Sequence, residues 1–304
     1  LLDEYAVRDS RVRVFTTPNN LGYASKTTRF GTRFIRGSYY AYASQDDLFS
    51  ADWLSCCYSR AVETGADAVV GEMVFFYKDS PEKNFFWPIP EELKHRVISG
   101  QEALIYSLDE TIHNFALWGR HLVDEIGYYD FGMRADEYTY RVWYQHCNKV
   151  AFSPGTFYYR FDNSEAITQK LTLKSFDTPY NTLRLWKLAK ENGAPRELQK
   201  KLILDSIYEL LHFNEMAYSL NFSGGKQKIL QCYSAYLQED VSGFLKSLPT
   251  NDRRLLVARL ATKSYTVFAI WTVCRLRRRV FRKALRPFPW HRMRVGRLGV
   301  PKQS

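Results

Sequence analysis

The sequence contains little cysteine, with five among 304 residues. They stand at positions 56, 57, 147, 232 and 274, and no two of them form a Cys-x-x-Cys pair. An odd number of cysteines without metal-ligand spacing argues against both a disulfide framework and a zinc site. The cysteine usage favours a reducing compartment.

Long hydrophobic runs are also absent. Ser264–Cys274 has 11 uncharged residues, whereas a membrane-spanning helix needs about 20 apolar residues.

Acidic residues are scarce in the C-terminal part. Residues 252–304 hold 15 of the 43 Lys and Arg residues and one acid, Asp252. This segment is more positive than the whole chain, whose net charge is +11, and the rest is slightly acidic. Such an asymmetry indicates an anionic partner.

The basic segment has three interpretations. Ser264–Cys274 contains Trp271 and precedes a run of arginines, which favours a segment lying on an anionic membrane surface. A basic helix docked on its own domain is the alternative. Nucleic-acid binding is the weakest interpretation, because no recognition motif accompanies the charge. We therefore predict an anionic membrane partner for residues 252–304 and no nucleic acid.

The pattern along the chain predicts an α/β domain followed by helices. Strands are predicted at 11–15, 38–43 and 66–76, with helices at 23–36 and 50–64 between them. This alternation predicts a mostly parallel sheet flanked by helices, with functional residues beyond the carboxyl ends of the strands. Further along we expect a loop at 78–98, helical structure at 100–126, a helix starting near 135, and short strands at 149–152 and 157–160. The predicted divisions are an α/β domain at 1–170, an all-helical region at 171–250 and a basic tail at 251–304.

Two acidic pairs are candidate site residues. Asp46-Asp47, in the stretch YASQDDLFSADW, follows a predicted strand; the pair is either a turn into the next helix or a metal site. Asp136-Glu137 lies in the first turn of a predicted helix, where the helix dipole also favours acids for structural reasons.

Four segments in order resemble the family 2 glycosyltransferases, especially bacterial enzymes that build surface polysaccharides. They are Asn20-Leu21-Gly22, Tyr40–Asp47, Asp136-Glu137-Tyr138 and Tyr158–Ser164. The resemblance covers about residues 1–170. It implies a GT-A nucleotide-sugar fold whose first strand–helix–strand unit is missing from this sequence, and we interpret the chain, which opens at Leu1 inside a helical pattern, as lacking that unit.

The resemblance implies a Mg²⁺ or Mn²⁺ site. Asp46 aligns with the family's metal-binding carboxylate, and carboxylate oxygens suit both cations. Ser44 takes the position of the family's first Asp, so one strong ligand is lost. Asp47 either assists or contacts the donor. Asp162 aligns with a His that approaches the metal in relatives, and a solvated turn acid is its alternative.

The resemblance also implies roles on the substrate side. Glu137 aligns with the base that deprotonates the acceptor, with Asp136 as second candidate. Lys26 and Arg29 lie near a nucleotide-contacting Arg, and a plain helix surface is their alternative. Trp118 and Arg160 are predicted substrate contacts, although core packing is an equal alternative for Trp118. These candidates are Lys26, Arg29, Ser44, Asp46, Asp47, Trp118, Asp136, Glu137, Arg160 and Asp162.

The predicted function is therefore metal-dependent, inverting transfer of a sugar. The donor is a nucleotide-diphosphate sugar, and the acceptor is a glycan or a lipid-linked molecule. The predicted location is cytoplasmic, peripheral on the inner face of the cell membrane. The alternative is a non-catalytic, membrane-associated scaffold that retains the fold, which Ser44 and the missing first unit favour.

Overall fold

A mixed sheet lies at the centre of the protein. The computed structural model describes residues 1–166, 170–249, 252–270 and 272. In these ranges the strands are β1 (Tyr39–Tyr40), β2 (Leu48–Phe49), β3 (Ala68–Phe76), β4 (Phe85–Trp87), β5 (Val97–Ile98), β6 (Ala116–Gly119) and β7 (Val150–Arg160). The helices are α1 (Leu2–Arg8), α2 (Ala24–Thr32), α3 (Trp53–Thr64), α4 (Gly100–Leu108), α5 (Arg120–Ile126), α6 (Ala135–His146), α7 (Thr178–Glu191), α8 (Arg196–Ser219), α9 (Gly225–Gln238), α10 (Val241–Lys246) and α11 (Arg253–Ala261).

The α/β class and the helical C-terminal region are confirmed, but the strand directions differ from the prediction. The strand order is β1-β6-β3-β7-β2, with β4 on β3 and β5 on β7. Among the described strands only β3 and β7 are parallel neighbours, and the other pairs are antiparallel. An apolar pattern predicts that a strand exists but not its direction, so the sequence did not reveal that β6 inserts antiparallel between β1 and β3.

Three strands nevertheless point the same way. Because β6 runs opposite to both β1 and β3, and β7 is parallel to β3, the carboxyl ends of β1, β3 and β7 face one edge of the sheet. The SQDD turn follows β1, and β2 then pairs with β7 through Leu48 and Tyr158. This pairing places the turn against the carboxyl end of β7, as the prediction of strand-end functional residues requires.

Several predicted elements have different bounds. Residues 11–15 form no strand in the described chain; Phe15 instead stacks on Phe34 with ring centroids 3.7 Å apart. The predicted helical stretch 100–126 is interrupted by β6, because Ala116–Gly119 is an apolar run buried on both faces. Helix α3 begins after Asp52 rather than Ser50. It ends at Gly65, which has the left-handed φ of 65° expected of a C-terminal cap.

The sheet separates two hydrophobic clusters. Helix α3 covers one face through Trp53, Cys57 and Ala61. The other face packs in one continuous cluster with α4, α6 and the C-terminal helices, to which Trp143 and Trp186 contribute fully buried side chains. The helical region therefore shares its core with the sheet.

The start of the predicted membrane segment packs on the protein itself. Phe268 is 1% exposed, and its ring centroid lies 5.1 Å from that of Tyr233. Asn214 Nδ2 donates to Thr272 Oγ1 at 2.6 Å. These contacts of Phe268 and Thr272 favour the docked alternative, whereas the basic run beyond them lies outside the described residues. Among the helices described, none is long and apolar enough to span a membrane.

Candidate active site

Asp47 fastens the turn after β1 to the end of β7. Its carboxylate accepts hydrogen bonds from the backbone N–H groups of Ser44 at 3.2 Å and Arg160 at 3.1 Å. Burial and the charge of Asp46 raise the pKa of Asp47, while those backbone donors oppose the rise. The turn interpretation of the pair therefore describes Asp47, although its predicted contact with the donor stays a prediction.

Asp46 has a different environment. Its Oδ2 accepts a hydrogen bond from Asn163 Nδ2 at 2.5 Å, and the side chain is half-buried. Burial acts to raise the pKa of Asp46, but hydrogen bonds from Asn163 and Ser44, together with the Arg160 charge, outweigh it, so the pKa lies below the ordinary value. Asp46 is therefore an ionised carboxylate held in one orientation at the strand-end edge.

The single oriented carboxylate of Asp46 suits a divalent cation that is also bound by the donor's diphosphate. In the described part of the chain no three His, Cys, Asp or Glu side chains group together as a metal cage. Mg²⁺ commonly takes only one or two protein carboxylates and completes its shell with water and phosphate oxygens. Asp46 supplies one such ligand, and Ser44 orients it rather than adding a second carboxylate.

Asp162 joins the ends of two strands through hydrogen bonds, and its predicted contact with a metal stays a prediction. Its Oδ1 accepts from Arg160 Nε at 3.1 Å, and its Oδ2 accepts from the Lys78 backbone N–H at 2.9 Å. Both oxygens thus join the exits of β7 and β3, which favours the turn-acid alternative. Arg160 is also close enough to Asp46 for its charge to lower the pKa of Asp46, so this edge carries a cation suited to phosphate.

The second acidic pair opens α6. Glu137 Oε2 accepts from Arg141 Nη1 at 2.6 Å and from Asn114 Nδ2 at 3.3 Å. Arg141 is only 6% exposed. The ion pair therefore holds the Glu137 side chain in a fixed direction.

Asp136 differs from its neighbour. Its side chain is open to solvent, and no side chain in the described ranges hydrogen-bonds it. Burial by the surrounding protein atoms, which reduces hydration of the charged form, and the charge of Glu137 raise the pKa of its carboxyl group. A carboxylate with a raised pKa and no ion-pair partner is the better proton acceptor of the two.

Tyr42 connects the two acidic pairs. This half-buried side chain follows β1, and burial together with the charges of Asp136 and Asp47 raises its pKa to about 12. Both acids are thus close enough to act on one phenol. The fold therefore brings the two predicted acidic pairs into one neighbourhood.

An aromatic pocket adjoins Glu137. Its polar end is formed by Glu137, Arg141, Asn114 and Arg134. Its apolar wall is formed by Phe75, Tyr77, Phe85, Trp87, Phe115 and Phe161. The buried atoms Asn114 Oδ1 and Arg141 Nε have no hydrogen-bond partner in the described protein. Strand β4 lies in the predicted loop at 78–98, which thus lies near the site as expected.

The predicted nucleotide contacts lie on the surface of α2. Arg29 Nη1 pairs with Asp130 Oδ2 at 2.8 Å, and Lys26 Nζ lies 5.5 Å from the centroid of the Tyr23 ring. Both cations are exposed. Their roles toward a nucleotide remain predictions.

The Asn20-Leu21-Gly22 loop is held by the helical region. The Tyr23 hydroxyl donates to Asp177 Oδ2 at 2.9 Å, and Lys174 Nζ donates to the Gly22 carbonyl. Gly22 has a left-handed φ of 80°, which suits glycine. The region after residue 170 thus contacts a motif that the sequence placed in the first domain.

The prediction that Trp118 contacts the acceptor is wrong. Its side chain is 1% exposed and stacks on Tyr140 with centroids 5.5 Å apart. The reason is that β6 is an interior strand covered by α6. Trp118 therefore packs in the core.

Sequence reasoning missed several site residues. Arg141 follows Glu137 by four positions, a spacing that signals an ion pair on a helix. Asn163, Tyr42 and Arg134 carried no comparable signal, because their contacts join positions far apart in the chain.

Comparisons with known proteins concern the family and the fold of the chain. The family described as "Glycosyl transferase family 2" matches residues 1–127. The structure is similar to that of Staphylococcus aureus TarS 1–349 in complex with UDP-GlcNAc, with a TM-score of 0.53, 11% identity, and coverage of 92% of this chain and 78% of that chain. For TarS 1–349 in complex with UDP the TM-score is also 0.53, at 11% identity and with coverage of 93% and 78%. No match emerged among the curated proteins.

The fold and the family match place the chain in the class of glycosyltransferases. The part of the chain that matches the family 2 model is residues 1–127. The likeness to TarS shows that the fold is shared over most of the chain.

Proposed function

We propose that the protein transfers a sugar, with inversion, from a nucleoside diphosphate sugar to a glycan or a lipid-linked acceptor. The observation that carries the proposal is the ionised Asp46 beside Arg160 at the strand-end edge, together with Tyr42, which is close to both Asp136 and Asp47, the neighbour of Asp46. Asp46 is suited to binding a cation that carries a diphosphate, and Asp136 is suited to accepting a proton. The UDP-GlcNAc complex of TarS supports a UDP-sugar as donor.

The chain's own residues divide the work. Asp46 and Arg160 hold the diphosphate end of the donor, and Asp136 accepts the proton of the acceptor hydroxyl. The acceptor oxygen bonds to the anomeric carbon as the bond to the diphosphate breaks, so a single displacement inverts that carbon. A bound Mg²⁺ or Mn²⁺ supplies charge neutralisation for the leaving diphosphate.

The aromatic pocket supports a saccharide as acceptor. Aromatic rings pack against the apolar faces of sugar rings, and the unpartnered Asn114 Oδ1 and Arg141 Nε supply hydrogen-bonding groups for hydroxyls. Glu137 then orients the acceptor rather than acting as base.

We further propose that the protein acts in polysaccharide synthesis at the inner face of the cell membrane, on the basis of the basic segment 252–304.

The experiment is a screen of nucleotide sugars for turnover by the full-length protein with Mn²⁺. We expect one donor to be consumed, and Asp136→Asn to reduce its turnover while leaving its binding unchanged. Asp79→Asn, an exposed acid of the neighbouring loop, is the matched control. Absence of turnover with every donor, or full activity of Asp136→Asn, contradicts the proposal.

A further inference from the structure

Arg134 has an unusual backbone conformation directly before the acidic pair. It is the N-terminal cap of α6 and has a φ of 67°. A left-handed conformation is uncommon for a residue with a long side chain, and tertiary contacts must maintain it. Contacts with other parts of the protein must therefore hold Arg134 in place.

The helical region holds it. Arg134 Nη1 lies 3.2 Å from Glu209 Oε1 on α8 and 3.4 Å from Thr182 Oγ1 on α7. Thr182 Oγ1 in turn donates to Glu209 Oε2 at 2.6 Å. Asn181 Nδ2 donates to the carbonyl of Met133, the preceding residue. Two helices thus fix both the backbone and the side chain at the start of α6.

The guanidinium of Arg134 also acts on the acidic pair. It lines the aromatic pocket with Glu137 and Glu110, and its positive charge lowers the pKa of Asp136 against the larger effects of burial and Glu137. Glu209 faces the same guanidinium and neutralises part of its charge. The field at Asp136 therefore depends on a residue of the helical region that is remote from it in sequence.

We propose that Arg134, anchored by Glu209 and Thr182, is a positioning residue that directs the first turn of α6 and sets the electrostatic field at Asp136. The inference rests on the proposed function, in which Asp136 accepts the acceptor's proton. It makes the helical region a part of the catalytic unit.

Other groups face this network from each packed element. Around Asp136 they are Glu137, Arg134, Tyr42, Tyr128 and Tyr140. Around Arg134 and Glu209 they are Glu110, Asp205, Cys232 and Tyr236. Burial raises the pKa of Glu209, while Arg134 and Thr182 oppose that rise. A test must therefore separate the charge of Glu209 from the packing around it.

Opposite pH shifts separate the two roles. Glu209→Gln removes the counter-charge, so Arg134 stabilises the ionised Asp136 more strongly and the acid limb of the kcat profile moves to lower pH. Arg134→Gln removes the positive charge and moves the limb to higher pH. We expect each shift to be roughly one pH unit, the lower end for a nearby charge. Thr182→Val leaves the charges of Arg134 and Glu209 in place, so it reduces kcat without moving the acid limb of the kcat profile.

The controls keep the outcome decisive. Glu239→Gln, whose carboxylate pairs with Lys187 at 2.6 Å elsewhere, leaves the limb in place. A purely structural role predicts a lower Tm with shifts of the same sign or none, and this result overturns the inference. Carbon-13 NMR titration of the Asp136 carboxyl group, assigned with Asp136→Asn, reports the same opposite shifts without any turnover. If the pKa of Asp136 shifts in opposite directions in the two variants but Asp136→Asn is fully active, the proposed function is contradicted and the inference stands. If neither variant shifts the pKa of Asp136, the inference is contradicted.

Discussion

Glu137 and Arg141 form an ion pair one turn apart on α6, with Arg141 Nη1 2.6 Å from Glu137 Oε2. Asp136, the adjacent acid, has no such partner among the described side chains, and its pKa is raised by its surroundings. Two neighbouring carboxylates thus have different environments, which is how a site separates orientation from proton transfer. The alignment to the family assigned the base to Glu137, whereas the geometry favours Asp136.

The two acids should therefore respond differently to neutral substitution. We expect Asp136→Asn to lower kcat by about 10²- to 10⁴-fold, the usual contribution of a positioned base. Glu137→Gln keeps a hydrogen-bonding group beside Arg141, so it should mainly raise the KM for the acceptor. Steady-state kinetics of both variants distinguishes these effects. The reverse pattern, with kcat lost in Glu137→Gln only, returns the base to Glu137.

Asp136 should also make stability depend on pH. Its pKa is about 3.9 in an unfolded chain and higher in the folded protein, so the folded state binds more protons between these values and the free energy of unfolding falls as the pH rises through that window. Asp136→Asn removes this loss and should unfold at a higher Tm than the native protein at pH 7. Below about pH 4 the difference should disappear. A variant that is less stable at pH 7 contradicts the raised pKa.

Trp118 should matter for stability and not for acceptor binding. Trp118→Ala removes a fully buried side chain, and we expect a loss of about 3–5 kcal/mol in the free energy of unfolding. Trp118→Phe retains part of the packing and should lose less. Urea unfolding measures both, and the KM of Trp118→Phe for the acceptor is the control. A folded Trp118→Phe with a greatly raised acceptor KM restores the acceptor-side prediction.

Membrane contact should depend on residues beyond 272. Leu255 and Phe268 are buried, so truncation at 252 would open the core and confuse the result. We expect the full chain to co-sediment with vesicles containing anionic lipid, and a chain ending after residue 272 to stay in solution. Neutral vesicles are the control. Equal sedimentation of both chains contradicts a membrane role for the basic run.

The sequence was informative about local structure. The alternation of apolar and polar residues predicted α3, β3, α6 and the C-terminal helices, because each has a clear period or cap. It also placed Asp46 at a strand end. Strand direction and the burial of Trp118 could not be predicted, since both depend on which elements become neighbours in the sheet.

The candidate site was only half visible in the sequence. Carboxylate pairs at a strand end and a helix start are local patterns, so both were found. The partners that decide their roles are distant: Asn163 orients Asp46, and Glu209 anchors Arg134. Tertiary packing creates these contacts.

The measurement that tests the central claim most directly is the binding of the nucleotide sugar by Asp46 in the presence of Mn²⁺. Calorimetric titration of the full-length protein with UDP-GlcNAc, or with the donor found by screening, compares the native protein with Asp46→Asn and with Asp79→Asn. The account predicts Mn²⁺-dependent binding by the native protein and by Asp79→Asn, and its loss in a folded Asp46→Asn. Equal binding by all three proteins, or binding that does not depend on Mn²⁺, would contradict it.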